Sequence, residues 1–158
     1  MKKLFKLGVI GCGFMAHAIL KGVVLSDFLR VKKVVVSDTS EEALNKAADL
    51  GIQCTTNNKF LVENSEYVLI AVKPQSFAAV AESLEGAVPE KVISIMAGVK
   101  RDKIKAAIGR SALVARCMPN LPCSIGSGVI GVDMTDFNSS QQDIEFISGV
   151  LNCLGTVL

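Results

Sequence analysis

The amino-acid sequence predicts an α/β fold: a doubly wound, mostly parallel β-sheet with helices on both faces. Two observations predict it. From Leu7 onwards, short apolar runs rich in β-branched residues alternate with stretches whose apolar residues have helical spacing. The 158 residues, half of them hydrophobic, can bury a sizeable core but leave room for only one domain. We therefore expect one domain over residues 1–158.

The first half of the chain predicts strands and helices in alternation. Thr39 and Glu42 have the spacing of a capping box, so we expect a helix to begin there and to end at Gly51, a typical left-handed cap. The apolar run that Pro74 ends suits a strand covered on both faces. The predicted elements are strand 7–10, helix 13–25, strand 34–36, the capped helix, strand 52–54, a brief helix or loop at 57–65, and strand 67–74.

The second half continues this alternation. Gly109 is expected to stop one helix, and Ser140 with Asp143 to cap another that ends at Gly155. The predicted elements are helix 75–84, strand 91–99, helix 101–109, strand 112–118, strand 129–132 and helix 140–153. Residues 155–158 look like the beginning of one more strand, so we expect the chain to stop within its architecture.

A glycine-rich turn follows the first predicted strand. Gly11-x-Gly13-x-x-Ala16 matches the G-x-G-x-x-A form of the dinucleotide fingerprint, and it stands between a strand and a helix, as that fingerprint requires. Gly11 permits the tight turn, Gly13 lets the backbone approach a pyrophosphate, and Ala16 allows the helix to pack closely on the strand. The pattern predicts a nucleotide site in a Rossmann-like domain.

A second stretch has the same spelling in a different context. Gly126-Ser127-Gly128-Val129-Ile130-Gly131 follows a proline-containing loop and leads into a predicted strand. Because it lacks the strand-turn-helix arrangement of the fingerprint, we interpret it as a flexible turn. Context therefore assigns the nucleotide to the first glycine turn.

An acidic residue ends the second predicted strand. Asp38 lies where a carboxylate can accept hydrogen bonds from an adenosine ribose. This carboxylate, within about 4 Å of the 2′-phosphate of NADPH, would reduce the binding free energy by up to a few kcal/mol at an effective dielectric of 20. No arginine follows Asp38 to compensate for its charge. Ser37, Thr39 and Ser40 remain as hydroxyl donors to such a phosphate. Both NADH and NADPH are therefore candidate cofactors, with NADPH disfavoured.

Composition argues against several other functions. The net charge is +2 and aromatic residues make up 5% of the chain, so nucleic acid would find neither a concentrated positive field nor many stacking platforms. Five cysteines without C-x-x-C spacing and a single histidine, His17, do not supply the usual zinc sets. We expect no nucleic-acid partner, no metal, and free thiols in a reducing cytosol.

The amino-terminal segment also resembles an export signal. Lysines precede an apolar run, and Val9-Ile10-Gly11-Cys12 resembles a lipoprotein cleavage box. However, the chain continues as regular elements without a tether, and His17 and Lys21 interrupt the run before it reaches the ~20 residues of a membrane span. We therefore expect a cytoplasmic protein without a membrane segment.

Four segments, in this order, carry a family resemblance: IGCGFMAHAI (10–19), AVKPQ (71–75), SIMAGV (94–99) and RCMPNLP (116–122). Over essentially its whole length, the chain resembles the amino-terminal dinucleotide-binding domain of pyrroline-5-carboxylate reductase. That family reduces 1-pyrroline-5-carboxylate to proline with NADPH or NADH, in the last step of proline synthesis. Its helical second domain, absent from this chain, forms the dimer and holds the substrate. The resemblance implies a cofactor domain that is inactive alone and forms homo-oligomers only through the missing domain.

The resemblance also implies which residues contact the cofactor. They are Gly11, Cys12, Gly13, Phe14 and Met15 at the pyrophosphate turn, Asp38, Thr39, Ser40 and Asn58 around the adenosine ribose, and Ala71, Val72, Lys73, Pro74, Ala97, Gly98 and Asn120 on the nicotinamide side. Phe14 stands where the family commonly has asparagine, and its role is open. Alignment of nicotinamide with imine and exclusion of water would supply most of the catalysis, so no catalytic residue is assigned within this chain. The resemblance implies that Lys73 and Asn120 border the nicotinamide.

Two other interpretations stay open. A non-catalytic regulatory module that senses pyridine nucleotides would have the same glycine turn without a helical substrate domain. A hydroxyacid dehydrogenase of the β-decarboxylating type would share the amino-terminal fold but need a different, lysine-bearing second domain. The RCMPNLP turn weighs modestly against the dehydrogenase.

Overall fold

The computed structural model describes residues 2–118, 128–153 and 155–157. The strands are β1 (Phe5–Ile10), β2 (Val34–Ser37), β3 (Gln53–Thr55), β4 (Ser65–Ile70), β5 (Lys91–Ser94), β6 (Leu113–Met118), β7 (Gly128–Asp133) and β8 (Gly155–Val157). They form an eight-stranded sheet in the order β3-β2-β1-β4-β5-β6-β7-β8. Neighbouring strands are parallel except β6 and β7, which are antiparallel. The predicted mostly parallel sheet is confirmed.

Helices cover both faces of this sheet. They are α1 (Phe14–Leu25), α2 (Glu41–Ala48), α3 (Asn58–Asn64), α4 (Phe77–Ser83), α5 (Arg101–Ile108) and α6 (Gln141–Leu151). On one face, α1, α2 and α6 bury Leu20, Ala47 and Ile147. On the other face, α3 and α5 bury Leu61 and Ile104, together with the apolar side of α4. Since both faces are covered, the central strands are continuous apolar runs, as the sequence predicted.

The strand order reverses between β1 and β4. From β1 the chain moves outward through β2 to β3, then returns to β4 on the other side of β1 and continues to β5 and β6. The register pairs Ile10 of β1 with Ser37 of β2 and with Ile70 of β4, so these three strands end at the same level. In open α/β sheets, ligands bind in the crevice beyond such a reversal. The fold therefore predicts a ligand site at this edge of the sheet.

Two helix boundaries differ from the sequence-based expectation. The predicted cap at Thr39 is wrong: α2 begins one residue later, and Ser40 caps it by accepting a hydrogen bond from the Ala43 N–H at 3.2 Å. The predicted stop at Gly155 is also wrong, because α6 ends at Leu151 and Gly155 lies in β8. The start of α2 follows from the hydrogen bond to the Ser40 side chain. Gly155 does not cap α6 because it lies in β8, which pairs with β7. The strand expected after α6 is confirmed.

The second glycine-rich stretch is a strand where the structure describes it. Residues 128–131 belong to β7, which pairs with β6. This part is thus extended and hydrogen-bonded, so the expectation of a flexible turn is wrong for it. Gly126 and Ser127 lie outside the described residues. The chain enters a strand at this point and not a helix, which agrees with the context argument against a phosphate site.

A buried ionic cluster joins α6 to the amino-terminal ends of β4 and β5. Asp143, only 6% exposed, accepts a hydrogen bond from the Tyr67 hydroxyl and one at 2.8 Å from Lys91 Nζ. The Tyr67 ring stacks on Phe146, with centroids 4.1 Å apart. Burial alone would raise the pKa of Asp143, but the hydrogen bonds from Lys91 and Tyr67 outweigh it and hold this pKa below its ordinary value of 3.8.

We expect Asp143→Asn to destabilise the fold by about 1–3 kcal/mol at neutral pH, because Lys91 and Tyr67 would lose a charged acceptor. The folded pKa of Asp143 lies below the unfolded one, so its stabilising contribution is present above pH 3.8 and is lost as the pH falls through the lowered value. Urea unfolding of the variant and wild type should therefore differ most at neutral pH and least near pH 2. Asp102→Asn on α5 serves as an exposed control. If the free energies of unfolding of the wild type and Asp143→Asn differ by the same amount at every pH, this prediction is wrong.

Candidate functional site

The first glycine turn connects β1 to α1 at the strand reversal. The Gly11 N–H donates to the Ser37 carbonyl at 2.8 Å, and Gly11 has a φ of +96°, a conformation that other residues rarely adopt. A Cβ at this position would lie 2.9 Å from Val72 Cγ1 and 3.0 Å from the Ala71 carbonyl carbon. Any other residue at position 11 would therefore strain the turn, whether or not a ligand is bound.

Gly13 differs from Gly11 in what surrounds it. It is the N-cap of α1 with φ −77°, a conformation open to every residue, and a Cβ placed there would meet nothing within 4 Å. The fold itself does not require glycine here. The space in front of Gly13 is open, and Gly13 has no side chain to cap the first N–H groups of α1. This arrangement suits an anion that accepts hydrogen bonds from a helix N-terminus.

The Asp38 carboxylate anchors the same turn. Its Oδ2 accepts a hydrogen bond from the Cys12 N–H at 2.6 Å, and its Oδ1 accepts one from the Ser40 N–H at 2.8 Å. Both oxygens are thus held by backbone groups, one from the glycine turn and one from the start of α2. The carboxylate has a fixed position, and it links the ends of β1 and β2.

A cavity of about 660 Å³ opens at this edge of the sheet. Its walls come from the glycine turn, the end of β2, the start of α3, the segment after β4, and α4. Nine predicted cofactor residues line it: Gly11, Cys12, Gly13, Asp38, Thr39, Asn58, Ala71, Val72 and Lys73. The structure therefore brings together residues that the sequence places up to 62 positions apart, from Gly11 to Lys73.

Other predicted cofactor residues lie outside the cavity lining. They are Phe14, Met15, Ser40, Pro74, Ala97 and Gly98, whereas Asn120 lies outside the described residues. Phe14 begins α1 with 72% of its side chain exposed, while Met15 packs against the core. Ala97 and Gly98 are exposed in the loop after β5. The cavity therefore covers the glycine turn and the β2 side of the predicted site, and not the loop after β5.

Sequence reasoning missed the wall formed by α4 and several neighbours. The unpredicted lining residues are Ile10, Thr56, Gln75, Ser76, Ala79, Val80 and Ser83, whereas Ser37 was expected as a hydroxyl donor to a 2′-phosphate. Four of them, at positions 76, 79, 80 and 83, have the spacing of one helix face. That spacing was visible in the sequence. Whether this helix face lines the cavity depends on how α4 packs against the sheet, which the spacing does not determine.

Four of the five cysteines fall within the described residues, and all four are free thiols. Cys12 and Cys117 are buried, whereas Cys54 and Cys153 are half-buried. Within the described residues, no group of three or more His, Cys, Asp or Glu side chains is arranged to hold a metal ion. None of the helices in those residues has the length and apolar character to cross a bilayer.

We expect Cys12 to react slowly with alkylating reagents. Burial, followed by the nearby Asp38 charge, raises the pKa of the Cys12 thiol to about 11, so the reactive thiolate is scarce at pH 7.5. Iodoacetamide labelling followed by peptide mass spectrometry should show Cys12 modified at least about 100-fold more slowly than a free cysteine. Half-buried Cys54, whose pKa burial also raises, is the internal comparison. Labelling of Cys12 at the rate of a free cysteine would contradict the prediction.

Comparison with known proteins identifies the family. The profile of a family described as "NADP oxidoreductase coenzyme F420-dependent" matches residues 6–98, which include the glycine turn, Asp38 and every residue of the cavity lining. The chain belongs to this NADP oxidoreductase family. Because the family is one of NADP oxidoreductases, the predicted nicotinamide dinucleotide cofactor is confirmed.

Curated relatives and solved structures agree with the predicted resemblance. The chain is 32% identical over 152 residues to a pyrroline-5-carboxylate reductase of Aquifex aeolicus, covering 96% of this chain and 56% of that protein. It superposes on a pyrroline-5-carboxylate reductase from Coxiella burnetii with a TM-score of 0.86 and 25% identity, covering 99% of this chain and 58% of that chain. A Plasmodium falciparum pyrroline carboxylate reductase with NADP bound has the same fold, with a TM-score of 0.82, 21% identity, and coverage of 100% and 58%.

These NADP oxidoreductase relatives are longer than this chain. It spans 56–58% of the length of the first curated relatives. The resemblance to the dinucleotide-binding part of pyrroline-5-carboxylate reductase, predicted from four sequence segments, is confirmed over nearly the whole chain.

Proposed function

We propose that this chain is the cofactor domain of an NAD(P)H-dependent imine reductase that converts 1-pyrroline-5-carboxylate to L-proline. The observation that carries the proposal is the glycine turn, anchored by Asp38 and opening into the cavity at the strand reversal. The names of the curated relatives support the reaction. The same cavity would serve other NAD(P)-dependent reductions, so the substrate rests on the relatives.

The residues of this chain would bind and orient the cofactor. When bound, the reduced dinucleotide supplies the hydride that adds to the imine carbon, whose nitrogen carries the proton. The α1 N-terminus, left open by Gly13, would hold the pyrophosphate. Lys73, exposed on the cavity wall, places a positive charge where the anionic cofactor would bind. The buried end of β4 and the apolar Val72 would help to exclude water from the bound dinucleotide.

Calorimetric titration with NADH and, separately, NADPH tests the proposal most directly. Both should be measured at a fixed low salt concentration, because phosphate contacts are screened by salt. We expect one molecule of dinucleotide to bind per chain. If neither binds to this chain or to a longer product of the same gene, the glycine turn is structural and the proposed function is wrong.

We also propose that residues 1–158 form only the dinucleotide domain, and that turnover and dimer formation need a substrate-binding domain beyond them. The length of the curated relatives supports this. A steady-state assay of the 158-residue chain should then show dinucleotide binding without proline formation. Normal proline formation by this chain would refute the proposal.

We propose that this chain, although it belongs to a family of NADP oxidoreductases, binds NADH in preference to NADPH. Asp38 holds its carboxylate in place through two backbone hydrogen bonds, so it cannot turn away from a 2′-phosphate. Glu41 and Glu42, in the first turn of α2, do not line the cavity, and Glu42 lies 3.9 Å from Lys46. Of the hydroxyls that would donate to a phosphate, that of Ser37 already donates to Asn58. Thr39 and Ser40 are the remaining hydroxyls beside the Asp38 carboxylate.

A further inference from the structure

A directed series of hydrogen bonds runs along one wall of the cavity. Ser37 Oγ donates to Asn58 Oδ1 at 2.5 Å, Asn58 Nδ2 donates to Ser83 Oγ at 2.9 Å, and Ser83 Oγ donates to the Val80 carbonyl at 2.5 Å. All four residues line the cavity. The series connects the end of β2 to the first residue of α3 and to the last turn of α4.

Ser83 determines the direction of the whole series. A hydroxyl has one proton, and Ser83 donates it to the carbonyl of Val80 in its own helix. Towards Asn58, Ser83 can therefore only accept, so the Asn58 amide must turn its nitrogen to Ser83 and its oxygen to Ser37. Ser37 alone would not fix this orientation, because its hydroxyl can rotate to donate or to accept.

The fixed amide retains defined hydrogen-bonding capacity for a ligand. Within the part of the chain that the structure describes, the bonds to Ser37 and Ser83 leave one N–H and one lone pair of Oδ1 of Asn58 for a ligand. A ribose hydroxyl, which both donates and accepts, matches this pair. Asp38, next in sequence to Ser37, lines the same part of the cavity and adds a carboxylate that accepts from a second hydroxyl. The cavity thus has a polar wall suited to a ribose diol.

We propose that Ser83 is a positioning residue: it holds the Asn58 amide in the orientation that binds a ribose hydroxyl of an adenine dinucleotide. This inference rests on the proposed function. Ser83 acts through Asn58 and need not touch the ligand. It lies at the exposed end of α4, and alanine has a higher helix propensity than serine, so Ser83→Ala should leave the fold intact.

The test is calorimetric binding of ADP, 2′-deoxy-ADP and 3′-deoxy-ADP to the wild type and variants. ADP carries the adenosine and phosphates of the cofactor, and each deoxy compound lacks one ribose hydroxyl. We expect removal of one of these hydroxyls to weaken wild-type binding about three- to tenfold. Ser83→Ala should weaken ADP binding by a similar factor. This variant should then bind the same deoxy compound almost as tightly as it binds ADP. Ser83→Thr, which keeps the hydroxyl, should restore the wild-type pattern.

Ser26→Ala provides a matched control. Ser26 is also an exposed serine at a helix end whose Oγ donates to the carbonyl three residues earlier, Val23, at 3.4 Å, but it lies away from the cavity. This variant should bind all three compounds like the wild type. Unchanged ADP binding by Ser83→Ala would overturn the positioning role. So would a variant that binds ADP more weakly but still loses about three- to tenfold in affinity when the ribose hydroxyl is removed. Absence of ADP, NADH and NADPH binding in the wild type would instead reject the proposed function.

Discussion

Asp38→Asn is expected to shift the ratio of NADPH to NADH affinity at least about tenfold in favour of NADPH. At an effective dielectric of 20, a carboxylate near 4 Å from a 2′-phosphate costs up to about 4 kcal/mol for each phosphate charge, and tenfold is about 1.4 kcal/mol. Asparagine removes the charge but keeps one oxygen that can accept the Cys12 N–H. Both absolute affinities should fall, because the bond to the Ser40 N–H is lost.

The ratio is measured by titrating each variant with both dinucleotides in the same buffer. Asp49→Asn, exposed at the other end of α2, is the control for a general change in surface charge. It should leave the ratio unchanged within about twofold. If the wild type prefers NADPH, or if Asp38→Asn leaves the ratio unchanged, Asp38 does not select the cofactor.

Gly13→Val is expected to reduce dinucleotide affinity at least about 100-fold with little loss of stability. The isopropyl group would project into the open space in front of α1, where the pyrophosphate would bind. Because no atom of the described residues, other than Gly13 and its chain neighbours, lies within 4 Å of that Cβ, and φ is −77°, the free energy of unfolding should change by no more than about 1 kcal/mol.

Gly11→Ala is the contrasting variant. Its methyl group would contact Val72 and Ala71 in a backbone conformation with φ +96°, so we expect a loss of about 1–3 kcal/mol in the free energy of unfolding. Thermal unfolding and NADH titration of both variants separate the two roles. Binding of NADH to Gly13→Val with wild-type affinity would show that the cofactor does not approach this turn.

The sheet and its helices were predictable because local signals agreed with the tertiary packing. The strands β1, β2 and β4 are continuous apolar runs, and the sheet buries them on both faces. The helix α3, for which helix or loop stayed open, is settled by Asn57, whose Oδ1 accepts a hydrogen bond from the Phe60 N–H at 2.9 Å. Thr39 and Ser40 are both good caps by type; the structure has Ser40 in this role, with its N–H bonded to Asp38.

The candidate site was predictable where one short motif carries its chemistry. The glycine turn and Asp38 follow strand ends, so their meeting follows from parallel pairing of β1 with β2. Ser83 could not be found in this way. It lies 25 residues from Asn58 and belongs to a helix whose rotation about its own axis is set by packing of Phe77 and Val80 into the core. The rotation of α4 could therefore not be predicted from a sequence motif.

The double attachment of Asp38 has a consequence for any redesign of this protein. The same carboxylate that would exclude a 2′-phosphate also ties the glycine turn to α2. A change of cofactor by substitution at this one position would therefore loosen the turn that receives the pyrophosphate, so selectivity and affinity are coupled. Evolution or engineering towards NADPH is therefore better begun by adding a cation beside the position of the 2′-phosphate than by removing the Asp38 carboxylate. Asp38 would change last, once another acceptor holds the Cys12 and Ser40 N–H groups.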